Sequence, residues 1–384
     1  MPRLKHPRAP SSERTITLLR AGLDGPTGDT TARPHAMADR ARFQHMSTYA
    51  RIADLPLEIE SVELPRQEQS VSSGFTRVST EIVLRGRGET GRGEDVCYTA
   101  TDHDLYPPLD RLVGSHSIDS LSRLLDETEL FTGEPAMPAS HDYRRWAIES
   151  SALDLALRQA GTDLGGVLAL EAAPVRFCVS TRLDARDWLA IDPSLEFKVD
   201  PVGDWDRSYV EALAATGRVR VLDFKAFYVG TAVDNPFDHG FYRLIAESFP
   251  DAVLEDPSIA DDALAALADC RDRISFDAPI HSLADVDALP LRVKHLNIKP
   301  SRFGTLARLF ECIDACHERG ISMYGGGQFE LGVGRSQIQE LASLFYPATA
   351  NDVAPIAYNA PEPVAGLPGS PLAPPAARSG FGGA

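Results

Sequence analysis

Apolar and polar positions recur along the chain in two rhythms. From Leu57, the segments LEIESVELP and STEIVLRGRG change polarity at every second residue, the period of a half-buried strand. They predict two antiparallel strands, with RQEQSVSSGF as the loop between them and GETGRGEDV as a glycine-punctuated turn region. The period then lengthens. Residues 117–128 and 142–160 carry helical spacing, with Trp146, Ile148, Ala152, Leu153, Leu155 and Ala156 toward one side. Strands followed by helices predict an α+β module over residues 46–165.

A different pattern starts at PVRFCVS, residues 174–180, and runs to DVAPIAYN, residues 352–359. Short β-branched or aromatic runs end in a charge, and helix-like segments follow them. LEFKVDP carries Lys198, VRVLDFKAF Asp223, AVLEDP Glu255, RISFDAP Asp277, LNIKPSRFG Lys299, and MYGGGQFELGVG contains Glu330. The intervals from Lys198 to Asp223, Glu255, Asp277 and Lys299 are 25, 32, 22 and 22 residues, room for a strand, a helix and two loops. Such units stack parallel strands through right-handed crossovers and close a barrel, which predicts an α/β barrel domain over residues 166–365. In a barrel every strand opens its C-terminus on one face. Three carboxylates and two lysines, distant in sequence, are thereby expected to share one cavity.

Like charges do not crowd into a partly buried mouth without a counter-ion. Asp223, Glu255 and Asp277 form an all-oxygen set that suits Mg²⁺. Parity adds candidates for substrate contact. Lys225 shares the inward side of Asp223, and Asn297 that of Lys299. Gly326 and Gly327 permit a close backbone approach, and Glu330 follows them.

The ordered set resembles the enolase superfamily, in particular its muconate-lactonizing and o-succinylbenzoate-synthase-like branch, over about residues 55–360. The resemblance rests on Asp223, Glu255 in LEDP and Asp277 at strands three, four and five, Lys198 on strand two, Lys299 in NIKPSRFG on strand six, and the glycine-rich GGGQFELGVGR. It implies a modified TIM (β/α)7β barrel with an N-terminal α+β capping domain, in which residues 66–77 would be a mobile lid. It also implies Mg²⁺-assisted abstraction of the proton α to a carboxylate, with Lys198 and Lys299 as the catalytic pair. That chemistry has a plain physical logic. Removing such a proton puts a second negative charge on one group, so a metal must hold the carboxylate, and a lysine must be made neutral by its surroundings before it can act as base. A Lys or His base working with Mg²⁺ is the known arrangement in this superfamily, so the mechanism comes with the resemblance. The subtype stays open among dehydratase, cycloisomerase, racemase and epimerase. Two departures stand out: Glu196-x-Lys198 where the family often has Lys-x-Lys, and Asp223-x-Lys225 where it often has Asp-x-Asn. They support an alternative, a non-catalytic or repurposed metal-binding barrel for a small anionic ligand, its lysines silenced by Glu196 and Lys225.

Composition narrows the remaining choices. A formal net charge of −17 leaves no cationic excess for phosphates and argues against nucleic acid; the small-molecule carboxylate partner is what the resemblance implies, and no membrane is expected. Five scattered cysteines fit a reducing cytoplasm. Cys312, Cys316 and His317 fall on one helix and are expected to pack there. Residues 1–45, rich in Arg, Pro, Ser and Thr, predict a disordered extension, and residues 366–384, mostly Pro, Ala and Gly, a disordered tail. Assembly through barrel helices is common in the resembling family and leaves a homo-oligomer open.

Overall fold

A turn of two left-handed residues, Arg87 (φ 52°) and Gly88 (φ 77°), joins the strands that organise the N-terminal part. That two-residue hairpin connection matches strand twist, and it pairs β4 (Thr76–Gly86) with β5 (Glu89–Asp95). The computed structural model describes residues 46–71, 74–231, 233–374 and 379–383, and every statement below concerns these. The expected disordered extension, residues 1–45, lies outside them. Around β4 lie β1 (Pro56–Ile59), β2 (Ser61–Glu63), β3 (Arg66–Ser70) and β6 (Gly114–Ser117); β2 and β3 flank β4, while β1 and β6 pair with each other. Helices Ile118–Asp126 and Ser140–Gln159 close the module.

Two expectations fail here for one physical reason: neither strand shows apolar alternation. RQEQS is β3 and not a loop, an edge strand in register with β4 from Arg66↔Thr80 to Ser70↔Thr76. Its residues are polar on both sides because neither side enters the core. GETGRGEDV is mostly β5; Gly88 belongs to the turn, while Gly91 and Gly93 are contacts. A Cβ at Gly93 would lie 2.1 Å from the carbonyl oxygen of Ala147, and one at Gly91 2.3 Å from that of Ser151. The strand therefore rests directly on the backbone of helix Ser140–Gln159.

The barrel follows the anticipated rhythm with short strands. β7 (Val179–Thr181), β8 (Phe197–Val199), β9 (Val219–Asp223), β10 (Val253–Glu255) and β11 (Ile274–Ser275) form a parallel sheet in chain order. β12 (His295–Ile298) pairs in parallel with β13 (Ser322–Gly325), and the Asn297 amide donates to Phe276 O, joining the two groups. Parallel bridges Gly326↔Asp352 and Phe177↔Asn351 complete the ring. The expected last strand is thus reduced to residues 351–352. Pro355, which has no N–H to give a ladder, leads instead into a 3-10 turn, Ile356–Asn359. Just before β8 and partly exposed, Glu196 pairs with Arg176 (2.6 Å) and Arg220 (2.7 Å).

Cap and barrel meet at the loop after β13. The buried Glu94 carboxylate accepts the amides of Leu331, Gly332 and Gly334 at 2.5, 2.9 and 3.0 Å, capping helix Val333–Phe345. Buried Arg77 donates to the carbonyls of Val96, Cys97 and Gln328. The C-terminal segment differs from its expectation as a loose tail. Leu372 bridges Val175, and Phe381 is fully buried beside Trp146, with the Phe381 amide on Asp154 and the Gly382 amide on Glu340. One aromatic side chain anchors a stretch that composition alone marks as unable to fold. No helix among the described residues is long and apolar enough to cross a membrane.

Candidate active site

Adjacent strands deliver adjacent charges. Asp223 ends β9 and Glu255 ends β10, and their registers place them side by side. Lys198 stands at the centre of β8, and Lys299 follows β12 immediately. All four are buried. The Lys198 ammonium bonds Glu255 Oε1 and lies 3.3 Å from Asp223 Oδ2 and 3.5 Å from Asp352 Oδ2. The Lys299 ammonium lies 2.7 Å from Asp277 Oδ2. Glu255 Oε2 accepts from Asn297 Nδ2 (3.1 Å) and the Tyr324 hydroxyl (2.5 Å). Glu196, just before β8, is paired with Arg176 and Arg220 and makes no ion pair with Lys198 among the described residues.

The electrostatics follow from burial and pairing. Burial pushes the Glu255 carboxyl up and the neighbouring Asp223 and Asp277 reinforce it against Lys198, bringing it to about 8. Burial likewise raises Asp256, with Asp277 and Asp223, to about 7. For Asp223, burial works upward but the ammonium groups of Lys225 and Lys198 outweigh it and hold the carboxyl well below the usual range. Asp277 behaves in the same way under Arg302 and Lys299. Burial alone would lower both lysines; the carboxylates overcome it and hold Lys198 and Lys299 above their ordinary value.

The third member of the assembled acidic group differs from the sequence expectation. Carboxylate oxygens of Asp223, Glu255 and Asp256 lie within 4.8 Å of one another. Asp277 stands outside that group and faces cations, its Oδ2 the Lys299 ammonium and its Oδ1, without a hydrogen-bond partner among the described residues, Arg302 Nε at 3.2 Å. Asp256 is held inward by a left-handed backbone (φ 48°), and its oxygens accept the amides of Asp277 (2.8 Å) and Ala278 (2.9 Å). Of the five non-glycine residues at positive φ among those described, Lys225, Asp256 and Phe329 follow strands β9, β10 and β13, the concentration of backbone strain expected at a functional site. A buried, all-oxygen carboxylate group fits a hard divalent cation such as Mg²⁺.

The other candidates divide. Asn297 touches Glu255, and its Oδ1 has no hydrogen-bond partner among the described residues. Gly326 is required by crowding, since a Cβ there would lie 2.5 Å from Asn297 Oδ1 and 2.8 Å from Lys299 Cε. Lys225 bonds Asp223 and opens on a pocket of about 290 Å³ lined by Asp200, Trp205 and Asn235. Gly327 and Glu330 belong to the cap joint instead. Glu330 is buried, accepts the Gln328 amide and pairs with Arg335 at 3.3 Å, while a Cβ at Gly327 would strike Glu330 Oε2. Asp256, Arg302, Tyr324 and Asp352 also reach the charged cluster and were not singled out from the sequence. Asp256 next to Glu255 in LEDP has outward strand parity, which its left-handed backbone reverses; Arg302 lies beyond a strand end where alternation gives no direction, and Asp352 opens an expected strand that is reduced here to a single parallel bridge.

Comparison with known proteins agrees with this architecture. Similar solved structures include a dipeptide epimerase from Methylococcus capsulatus in complex with Mg and the dipeptide L-Arg-D-Lys, 22% identical with TM-score 0.61, covering 80% of this chain and 93% of that one. The muconate lactonizing enzyme from Pseudomonas putida is 15% identical with TM-score 0.59, covering 77% and 88%. A member of the enolase superfamily from Enterococcus faecalis V583 is 19% identical with TM-score 0.51, covering 77% and 86%. At these identities the likeness establishes the fold. No curated protein matches the sequence. Residues 50–167 match the N-terminal domain model, and residues 171–360 the C-terminal domain model, of a single family described as domain of unknown function DUF8230. With its two halves matched in order, the chain belongs to that family and has the fold of the enolase superfamily.

Proposed function

We propose that the protein is a Mg²⁺-dependent lyase or isomerase that removes the proton α to a carboxylate in a small molecule. The observation that carries this reading is the pair of buried lysines, Lys198 ion-paired with Glu255 of the acidic group and Lys299 with Asp277 on the neighbouring strand. Asp223 and Glu255 would hold the metal, with Asp256 or Asp277 as the third carboxylate. A bound Mg²⁺ would neutralise charge building on the substrate carboxylate. The lysines do the proton work. With the surrounding carboxylate charge taken up, burial remains as the influence that lowers a lysine, and a neutral amine can accept the α-proton. Asn297, with a free carbonyl oxygen beside Lys299, would orient substrate. The scattered, free cysteines suit a reducing cytoplasm, and a homo-oligomer is part of the proposal without a designated surface.

The test is isotope exchange. Incubated in D₂O with Mg²⁺ and a library of dipeptides, N-acyl amino acids and sugar acids, the protein should introduce α-deuterium into a subset, detected by mass. Exchange should vanish with chelator and fall at least about a hundredfold in Lys299→Ala, the scale of a lost general acid or base. Exchange by Lys299→Ala at the wild-type rate would remove Lys299 from the mechanism. A second reading, binding of a small anion without turnover, is favoured by the protonated state in which the carboxylates hold both lysines. Metal binding with no exchange across the library would select it.

A further inference from the structure

Both oxygens of Asp223 are claimed by one residue. The chain leaves β9 through Phe224, packed at 4.3 Å on the Tyr242 ring, and turns left-handed at Lys225 (φ 55°). That turn brings the Lys225 amide to 3.2 Å from Asp223 Oδ1 and its ammonium onto Asp223 Oδ2. A left-handed backbone is disfavoured for a residue with a Cβ, so the surroundings hold this geometry in place. The same ammonium has a second ion-pair partner, Asp200 Oδ1 at 3.7 Å, and lies 5.4 Å from the centroid of the Tyr228 ring. Asp200 belongs to the pocket of about 290 Å³ that Lys225 lines with Trp205, Tyr209 and Asn235. Lys225 therefore stands between a carboxylate of the buried acidic group and a carboxylate of an adjoining open pocket.

We infer that Lys225 is a tethered, displaceable counter-ion: its ammonium occupies Asp223 until a divalent cation binds there, and then transfers to Asp200 at the edge of the side pocket. The inference rests on the metal reading above. An ammonium and a divalent ion cannot share one carboxylate oxygen without strong repulsion in a buried site, and the flexible four-carbon stem allows the shorter-range move that the repulsion requires. Divalent binding and the charge lining the side pocket are thereby coupled. Lys225 is a positioning residue in this scheme, acting through Asp223.

Isothermal titration of the full chain with MgCl₂, repeated with MnCl₂, tests it. Lys225→Met removes one of the two ammonium groups at Asp223 Oδ2, the other being Lys198 at 3.3 Å, and should tighten divalent binding at least tenfold, while Lys225→Arg, which keeps the charge, should stay within about threefold of wild type. Asp200→Asn removes the alternative partner and should weaken binding at least threefold in the wild-type chain but not in the Lys225→Met background, whereas a direct pull of the Asp200 charge on the cation would weaken both alike. Circular dichroism confirms that each variant is folded. Wild type and Lys225→Met binding with equal affinity, or Asp200→Asn binding like wild type, would overturn the inference while leaving the metal reading intact. Absence of binding by both wild type and Lys225→Met would overturn the metal reading and the inference together.

Discussion

Gly326 lacks a side chain because Lys299 and Asn297 fill the place where one would go. Gly326→Ala should push the Lys299 stem and the Asn297 amide aside, at a stability cost of about 1 kcal/mol, since both obstacles are side chains that can yield. The α-deuterium exchange rate should fall by at least tenfold while the thermal midpoint moves by only a few degrees; a large midpoint shift with unchanged exchange would contradict the positioning of Lys299 by Gly326. At this scale the sequence was informative wherever a charge ended a strand. Lys198, Asp223, Glu255 and Lys299 were legible because parity and the common opening of strand C-termini give each an address. Asp256 was not, since a left-handed backbone reverses its side, and Glu330 misled because a carboxylate beside glycines serves an arginine in the cap joint as readily as a ligand.

Among the elements, β5 depends most on contact that no periodicity encodes. Gly93→Ala would drive a methyl into the Ala147 carbonyl, which belongs to helix backbone and cannot rotate away. It should cost about 3 kcal/mol or more, read as a lowered denaturant midpoint, whereas Gly74→Ala near the tip of the β3–β4 hairpin meets no atom within 4 Å and costs only its left-handed φ of 78°. Equal effects at the two positions would refute the packing account. Helix Ile118–Asp126 was readable because its apolar spacing is helical; Ser140–Gln159 was readable as a helix, but the single apolar side expected for it is absent, since burial runs unbroken from Tyr143 to Leu157. β3 and β5 were not, because an edge strand with polar faces and a strand pressed onto a helix have no alternating apolar side.

Across the whole molecule, the C-terminal segment ties the barrel back to the cap. Glu340 on helix Val333–Phe345 accepts the Gly382 amide at 2.6 Å, and burial, helped by Asp163 and Asp154 against that hydrogen bond, raises its carboxyl to about 7 from an ordinary 4.5. A carboxyl raised on folding contributes stability that is fully present below about pH 4.5 and is lost by about pH 7, because the folded chain retains the proton over that interval and the unfolded chain does not. The contribution amounts to about 3 kcal/mol. Glu340→Gln should flatten the decline in thermal midpoint between pH 5 and pH 7 relative to wild type. Parallel pH profiles for the two proteins would show that Glu340 is not the group responsible.

The amino-acid sequence by itself determined the barrel, its N-terminal α+β module, and which strand ends carry the lysines and carboxylates, because strand periodicity and parallel stacking fix where strand-end charges emerge whatever the details of packing. Tertiary structure alone decided which carboxylate keeps which cation: Asp277 with Lys299 and Arg302, Asp223 with Lys225, and Glu196 with two arginines away from the cluster. It also decided that a Pro-, Ala- and Gly-rich tail would be pinned by Phe381. Pairing and close packing depend on separations of a few ångströms between residues far apart along the chain, and local pattern carries no information about those distances.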